Sequence, residues 1–443
     1  MSEFDLVSFT MWGLITGVVM LVTGLSYRRY LKKNNSISNS NAIIILGSSL
    51  IGSLCFTFSD SFWYNAVESE VYALAMFFLA ATFWLGLRWE KDFDTERGDR
   101  WLVLISFMIG LSFGVHFMAI LTIPAIGMIY FFKTYKKITI KNFLLANIVS
   151  VSILLFIFKL LLPSALGIFG QLEVFFVNSI GLPFNSGTII AAVLVVLFFY
   201  KALNYSRKKG NVNLNTLILC TLFIFVGFSS WMMLPIRSNA NTVINENAPS
   251  DARTLLAYYK LEQYPKTYLF YGPMFSDIYA PQDESQPYID GKPKYEKDYN
   301  TNRYVIVNNW EDSEVNSNSN HRGLIPRLWS SEHAANYMDF TSPLDFEISD
   351  EYKNQETIIE RVNSFRIREQ EGELTGEDYN DFFRTLGPYL DISKPSLFDN
   401  LNFLFTYQVN YMYWRYFMWN FAGRQNDIQG DYSNIYGNWL SGV

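Results

Sequence analysis

Seven apolar runs occupy the first half of the chain, at residues 8–27, 42–58, 71–87, 101–132, 143–162, 188–203 and 214–236, and a polar half follows. Most have about the length that crosses the hydrocarbon layer of a bilayer as one helix. Basic residues cluster after the first, third, fourth and sixth runs, for example Arg28, Arg29, Lys32 and Lys33, or Lys133, Lys136, Lys137 and Lys141. By the positive-inside tendency these four loops face the cytoplasm, and the loops at 59–70 and 163–187, which hold no Lys or Arg, lie outside.

The run at 101–132 has basic flanks on both sides, so it must enter and return. Each half then has about fifteen residues, roughly 22 Å of helix against a hydrocarbon core of about 30 Å. The turn near Gly114, Val115 and His116 should therefore be sunken, where irregular backbone is tolerated only beside protein or a water-filled cavity. This predicts His116 at the floor of an outward-facing cavity; the competing reading is a satisfied core histidine.

With that hairpin counted as two, the pattern predicts a multi-pass α-helical membrane protein of about eight spans over residues 1–236. Residues 237–396 read as a mixed α/β extracytoplasmic domain. A hairpin is expected over 288–307 around Asp290-Gly291, a charged helix-prone stretch over 351–384, and a mobile Asn/Ser-rich loop near 308–320. Residues 397–443 open with LFDNLNFLFTYQVNYMYWRYFMWNF, aromatic but interrupted by Asn402, Gln408, Asn410, Arg415 and Asn420. That is too polar for a lipid-exposed span; it reads as an amphipathic segment docking on the membrane or the bundle mouth, or as a buried aromatic helix.

Between the second and third runs, SDSFWYNAVESEVY (residues 59–72) sets Asp60, Glu68 and Glu70 at the membrane surface, with Trp63 and Tyr64 beside them. Such a cluster is either a substrate site or a solvated turn with an aromatic belt. Trp63, Val67 and Val71 recur at intervals of four, which favours a helix. Glu68 and Glu70 would then diverge by about 200° around its axis, with Glu70 facing the cavity and Glu68 more exposed.

Composition narrows the partners. Half of the 443 residues are hydrophobic and 17% aromatic, the formal net charge is -6, and no basic stripe suggests a nucleic-acid partner. Cys55 and Cys220 both fall in apolar runs, so no structural disulfide is expected. No zinc spacing, phosphate-cradling glycine loop, Ser-His-Asp order or internal repeat is present.

Several motifs together resemble one family: SDSFWYNAVESEVYAL, GLSFGVHFMAILTIPA, FVNSIGLPFNSG, IRSNANTVINENAP, PRLWSS, and YMYWRYFMWNFAGRQNDIQG followed by GNWLSG. It is the bacterial membrane-protein family, abundant in Bacteroidetes and formerly of unknown function, that is similar to a vertebrate transmembrane protein O-mannosyltransferase. The resemblance implies a GT-C-like bundle and transfer of a sugar from a polyprenyl phosphate to an exported protein, on the periplasmic side of the inner membrane. Members carry an acidic first outer loop that has no counterpart here, and the loop with Glu68 and Glu70 matches their second. The expectation is therefore a fragment lacking the first loop, and with it the usual catalytic base.

Such transfer needs a base for the acceptor hydroxyl and donors or cations for the departing phosphate. Glu70, Glu68 and Asp60 are the catalytic candidates. Trp63, Tyr64, His116, Asn185, Arg237 and Arg415 are the substrate-binding candidates, Arg237 being suited to bidentate phosphate contact, and Pro183, Phe184 and Asn185 to covering the lipid tail. No cofactor is expected besides the lipid-linked donor as substrate, no metal ligands are assigned and metal dependence is left open; the partners are the lipid-linked donor, the exported acceptor and membrane lipids. A flippase of polyprenyl-linked sugars and a non-catalytic envelope scaffold are the alternatives.

Overall fold

The computed structural model describes residues 23–24, 38–59, 62–63, 71–95, 97–240, 242–264, 266–289, 291, 293–307, 313–430, 432 and 435–440. The first apolar run lies almost wholly outside them. The chain forms two compact units, Met1–Tyr264 with Lys297–Tyr304, and Pro265–Glu296 with Val305–Val443.

The first unit is helical: α1 Asn39–Thr57, α2 Tyr72–Lys91, α3 Gly98–Ser112 and, after a 3-10 turn Phe117–Leu121, α4 Thr122–Thr134. Then come α5 Ile140–Leu155, a π-helical stretch Phe156–Leu161, and α6 Leu162–Asn178. The unit closes with α7 Ser186–Lys208, α8 Val212–Phe228, α9 Met233–Ser238 and α10 Ala252–Tyr259. Six helical stretches among the described residues are long and apolar enough to cross a membrane, and the chain is a multi-pass membrane protein with a C-terminal domain of small strands and helices. The short α3 and the stretch Phe117–Thr134 are the two arms of the expected hairpin.

One sequence-based boundary moves. Residues 163–178, expected in an outer loop, continue the preceding helix, so Ile140–Asn178 is one 39-residue stretch and the connection to α7 shrinks to residues 179–185. Pro163 follows the π-helical stretch, where the Phe158 carbonyl accepts from the Tyr259 hydroxyl at 2.7 Å, so its missing N–H is accommodated and does not end the helix.

Membrane logic governs the side chains. α1 buries Ser49, Ser53 and Thr57 while exposing Ile43, Ile44, Leu46 and Ile51. Each of the three hydroxyls donates to the carbonyl four residues back, at 2.7, 2.7 and 2.8 Å, so the polar stripe needs no water. α3 and α8 cross at two glycines: a Cβ on Gly110 would stand 2.2 Å from the Ile224 carbonyl oxygen, and one on Gly227 2.4 Å from both Leu111 N and Phe107 O. Around this crossing Leu85, Trp89, Ile105, Ile109, Phe113, Ile224 and Phe228 form the buried core.

In the second unit four two-stranded antiparallel or paired ribbons accompany short helices. β1 Tyr271–Pro273 pairs with β6 Arg322–Leu324, β2 Tyr288–Ile289 with β5 Glu314–Val315, β3 Tyr295–Asp298 with β4 Arg303–Ile306, and β7 Phe346–Ile348 with β8 Leu390–Ile392. The expected hairpin therefore turns after Asp298, not at Asp290-Gly291, and β2 pairs with β5 instead. The Asp298 carboxylate supplies the reason: it accepts from Asn300 N at 2.9 Å and Thr301 Oγ1 at 2.7 Å, and Asn302 takes a left-handed φ of 53°. Residues 308–312 of the Asn/Ser-rich stretch lie outside the described residues, and residues 313–320 are held by β5 and by the Asn318 N–H bond to Asp277. Helices α11 Ala334–Phe340, α12 Glu356–Glu371 and α13 Gly376–Leu386 pack a core around Phe275, Leu328 and Phe383. A last helix, α14 Leu397–Asn402, continues through a π-helical Phe403–Arg415 into α15 Tyr416–Phe421, and its Phe403 belongs to that same core.

The glycine crossing yields a stability prediction. Gly110→Val and Gly227→Val should each lower the thermal transition in detergent, at a cost of about 1–3 kcal/mol or more, because backbone blocks the added carbons. Gly52→Val, whose Cβ meets nothing within 4 Å among the described residues, should leave the transition unchanged.

Candidate functional site

The end of the first unit opposite the basic loops gathers the polar groups. Two features sit there, the turn after α3 and a buried carboxylate.

The turn is set by the exit of α3, where Gly114, Val115 and His116 N–H groups fold back on Leu111 and Ser112 carbonyls at 3.0, 2.9 and 2.7 Å. Gly114 is required by proximity: a Cβ there would lie 2.7 Å from Ser230 Oγ. The Trp231 indole N–H donates to the Phe113 carbonyl, fixing the 3-10 turn Ser229–Met232 against α3. His116 is extended, stacks on Phe117 at 4.5 Å, and lies 5.9 Å from the Tyr72 ring. Tyr72 is the second residue after Glu70, so the turn meets the end of the acidic loop. His116 Nδ1 and Ser230 Oγ are shielded from solvent and have no hydrogen-bond partner among the described residues. Rings wall the turn, with Phe117 5.3 Å from Phe158, and Tyr259 5.8 Å from Phe158 and 5.5 Å from Trp231. The Tyr259 hydroxyl donates at 2.7 Å to the Phe158 carbonyl, within the π-helical stretch where the ordinary i→i+4 ladder is interrupted.

The carboxylate is Glu173, 3% exposed near the end of α6. Oε1 accepts from Asn185 N at 2.5 Å and from the Tyr304 hydroxyl at 3.0 Å; Oε2 accepts from Thr188 N at 2.8 Å and Thr188 Oγ1 at 3.0 Å. Every one of these donors is neutral. Two are backbone amides at the start of α7, where the helix dipole favours a negative charge. Gly187 permits the approach, since a Cβ there would stand 2.4 Å from Glu173 Cα. Asn178 adds a side-chain amide pair to Tyr304, accepting its N–H and donating to its carbonyl, each at 2.8 Å. The Phe184 ring lies 5.2 Å from Tyr304 and 5.6 Å from Tyr299, so residues 297–304 are clasped by the 179–185 connection.

Arg253 lies over the Tyr304 ring at 4.1 Å and bonds Asp251 at 2.5 Å, while its Nη1 is shielded and unpaired among the described residues. Burial alone would raise the Asp251 carboxyl, but the Arg253 bond and charge, with the Thr254 and Arg253 amides, outweigh it and hold the group below its ordinary value. Burial, then the Glu173 charge, pushes the Tyr304 phenol well up, so it stays a donor.

The candidate residues fare unequally. Asp60, Tyr64, Glu68 and Glu70 lie outside the described residues. Trp63 is 37% exposed and stacks on Phe58 at 5.4 Å. Asn185 belongs to the Glu173 cluster, as the left-handed N-cap of α7 with φ 70°, and its Oδ1 accepts from Lys297 at 3.4 Å. Arg237 is exposed in α9. Arg415 belongs to the second unit, where it donates to the carbonyls of Tyr411, Gln429 and Gly437. Sequence reasoning passed over Glu173, Tyr304, Arg253 and Asp251. A signal for the first was present: Glu173 is the sole ionisable side chain between Lys159 and Tyr200.

With this geometry in place, comparison with protein families gives two matches. Residues 5–139 are similar to the Protein O-mannosyl-transferase TMEM260 N-terminal domain, and residues 265–405 to a family of unknown function, DUF8416. No curated protein and no solved structure matches the chain.

Two predictions follow from the carboxylate cluster. Glu173→Ala strands the Asn185 and Thr188 amides and the Tyr304 hydroxyl, each lost acceptor costing about 1–3 kcal/mol. It should lower the thermal transition and expose the 179–185 connection to limited proteolysis, whereas Tyr304→Phe, which removes one donor, should do less. Asp251 has a folded pKa depressed from 3.8, so its contribution is complete above that value and lost as pH falls through the lowered one. The thermal transitions of wild type and Asp251→Asn should accordingly differ at neutral pH and converge on strong acidification.

Proposed function

We propose that the chain is a GT-C-type glycosyltransferase that moves a sugar, plausibly mannose, from a polyprenyl phosphate to Ser or Thr hydroxyls of exported proteins. One observation carries the reading: the match to a protein O-mannosyltransferase N-terminal domain spans residues 5–139, which include both the acidic loop and the His116 turn that its end touches.

In the proposed reaction Glu70 orients the acceptor or donor sugar while the acceptor hydroxyl gives its proton to a carboxylate base and its oxygen attacks the anomeric carbon of the donor. The bond from that carbon to the phosphate oxygen breaks, and the polyprenyl phosphate leaves carrying the electron pair. His116 and Arg237 oppose the charge that develops on it. Glu68 and Asp60 support the loop, and Trp63 and Tyr64 pack against the sugar. The 179–185 connection, with Asn185, covers the lipid tail. No metal or other cofactor enters the scheme. The protein would lie in the inner membrane with its C-terminal portion in the periplasm.

Activity tests belong in the intact protein with defined polyprenyl-phosphate sugars. Glu70→Gln should lower transfer by at least about tenfold, roughly 1.4 kcal/mol of transition-state stabilisation, and Glu68→Gln by less. His116→Ala and Arg237→Ala should raise the donor KM without loss of fold. Normal transfer by all four variants would remove the loop and the turn from the site.

Sidedness has its own test. Gly187 abuts Glu173 and Ser206 is fully buried, so reporter cysteines belong at exposed Ile180 and Lys208. Ile180→Cys should react with an impermeant thiol reagent in spheroplasts and Lys208→Cys only after lysis. The reverse pattern would put the C-terminal portion in the cytoplasm.

A further inference from the structure

The helix from Leu397 to Phe421 carries two rows of side chains, each spaced by four residues. A π-helix bonds i to i+5 and so winds a little over four residues per turn; residues four apart therefore nearly superpose along the stretch Phe403–Arg415. The inward row is Phe403, Tyr407, Tyr411, Arg415 and Trp419. Phe403 and Trp419 are buried, the Phe403–Tyr407 and Tyr407–Tyr411 rings stack at 5.0 and 5.8 Å, and the Arg415 guanidinium lies 4.3 Å over Tyr411. The chain beyond Gly423 covers this row: Tyr432 packs on Tyr407 and Tyr411, Asn426 accepts the Trp419 indole N–H, and Gln429 and Gly437 carbonyls accept from Arg415.

The outward row is Phe405, Val409, Tyr413, Phe417 and Phe421, exposed by 60, 43, 62, 40 and 78%. Trp414 and Met412 flank it, exposed by 51 and 52%. No ionisable acid or base lies in the row, and the one guanidinium of the helix is spent on the inward side. We infer that this outward row lies in the headgroup layer of a lipid bilayer, with the helix parallel to the membrane surface.

Three observations select that occupant. The chain itself crosses a membrane, so a bilayer surface is part of its own environment. Rings with polar tips beside wholly apolar ones suit the interfacial layer, where one end of the group is wet and the other dry. An uncharged face offers nothing to a charged peptide or polymer, and the polar Asn402, Gln408, Asn410 and Asn420 keep the helix from the hydrocarbon centre. The inference does not depend on the glycosyltransferase reading.

The test uses the full chain with Cys55 and Cys220 replaced by serine, in phosphatidylcholine nanodiscs. Nitroxides are attached through Phe405→Cys, Tyr413→Cys or Phe417→Cys, and through Ile367→Cys as a reference on α12, which is 57% exposed. Power saturation then compares relaxation by oxygen, which partitions into lipid, with relaxation by a water-soluble nickel chelate. The three row positions should each show a higher oxygen-to-nickel ratio than Ile367, while retaining the wild-type thermal transition. Ratios equal to that of Ile367 would mean the row is in water and overturn the inference. Exclusion of both relaxants would overturn it as well, and dipolar broadening would then name a second copy as the occupant.

Discussion

Taking a carboxylate out of water costs several kcal/mol unless its charge is met in place, and at the end of α6 that cost falls on Glu173. No cation answers it among the described residues. The charge is met by two amides at the start of α7, one hydroxyl beside them and one phenol brought from residue 304. Each donor must be held at its post, and each post is a piece of architecture: the left-handed Asn185, the bare Gly187, the amide pair between Asn178 and Tyr304, and the ring contacts of Phe184. The arrangement of this end of the unit is the set of conditions under which the Glu173 side chain can be buried with its oxygens bonded.

Much of the helical architecture was readable from residue patterns, since lipid leaves a chain few options. Helices must satisfy their own backbone, so the apolar runs within the described residues became helices near their expected places, and the basic flanks of residues 101–132 exposed the hairpin. What failed did so where local signals competed. A proline such as Pro163 reads as a breaker, yet the π-helical turn before it and the Tyr259 hydroxyl on the Phe158 carbonyl accommodate the missing N–H, and the stretch runs on for fifteen more residues to Asn178. Asp290-Gly291 reads as a hairpin turn, but the Asp298 carboxylate, with two donors in reach, captured the turn instead.

The site was less legible because its chemistry is distributed. Glu173 and Tyr304 are 131 positions apart, and no spacing rule joins them. His116 could be assigned to the turn because a run with basic flanks on both sides has to reverse near its middle. Arg415 shows the opposite case: a lone guanidinium amid aromatics invites a ligand, whereas in the fold it closes a loop by donating to carbonyls. Much of the motif from Tyr411 to Gly430, and Gly437 after it, is used in that closure, with Gln425 and Asn426 bonded to backbone across the loop.

The unbroken stretch Ile140–Asn178 also acts as a spacer. Glu173 stands about 33 residues along it, on the order of 50 Å of helix from Ile140. That is longer than a hydrocarbon layer of about 30 Å, so a span standing close to upright would have length left over for the turns that hold Glu173.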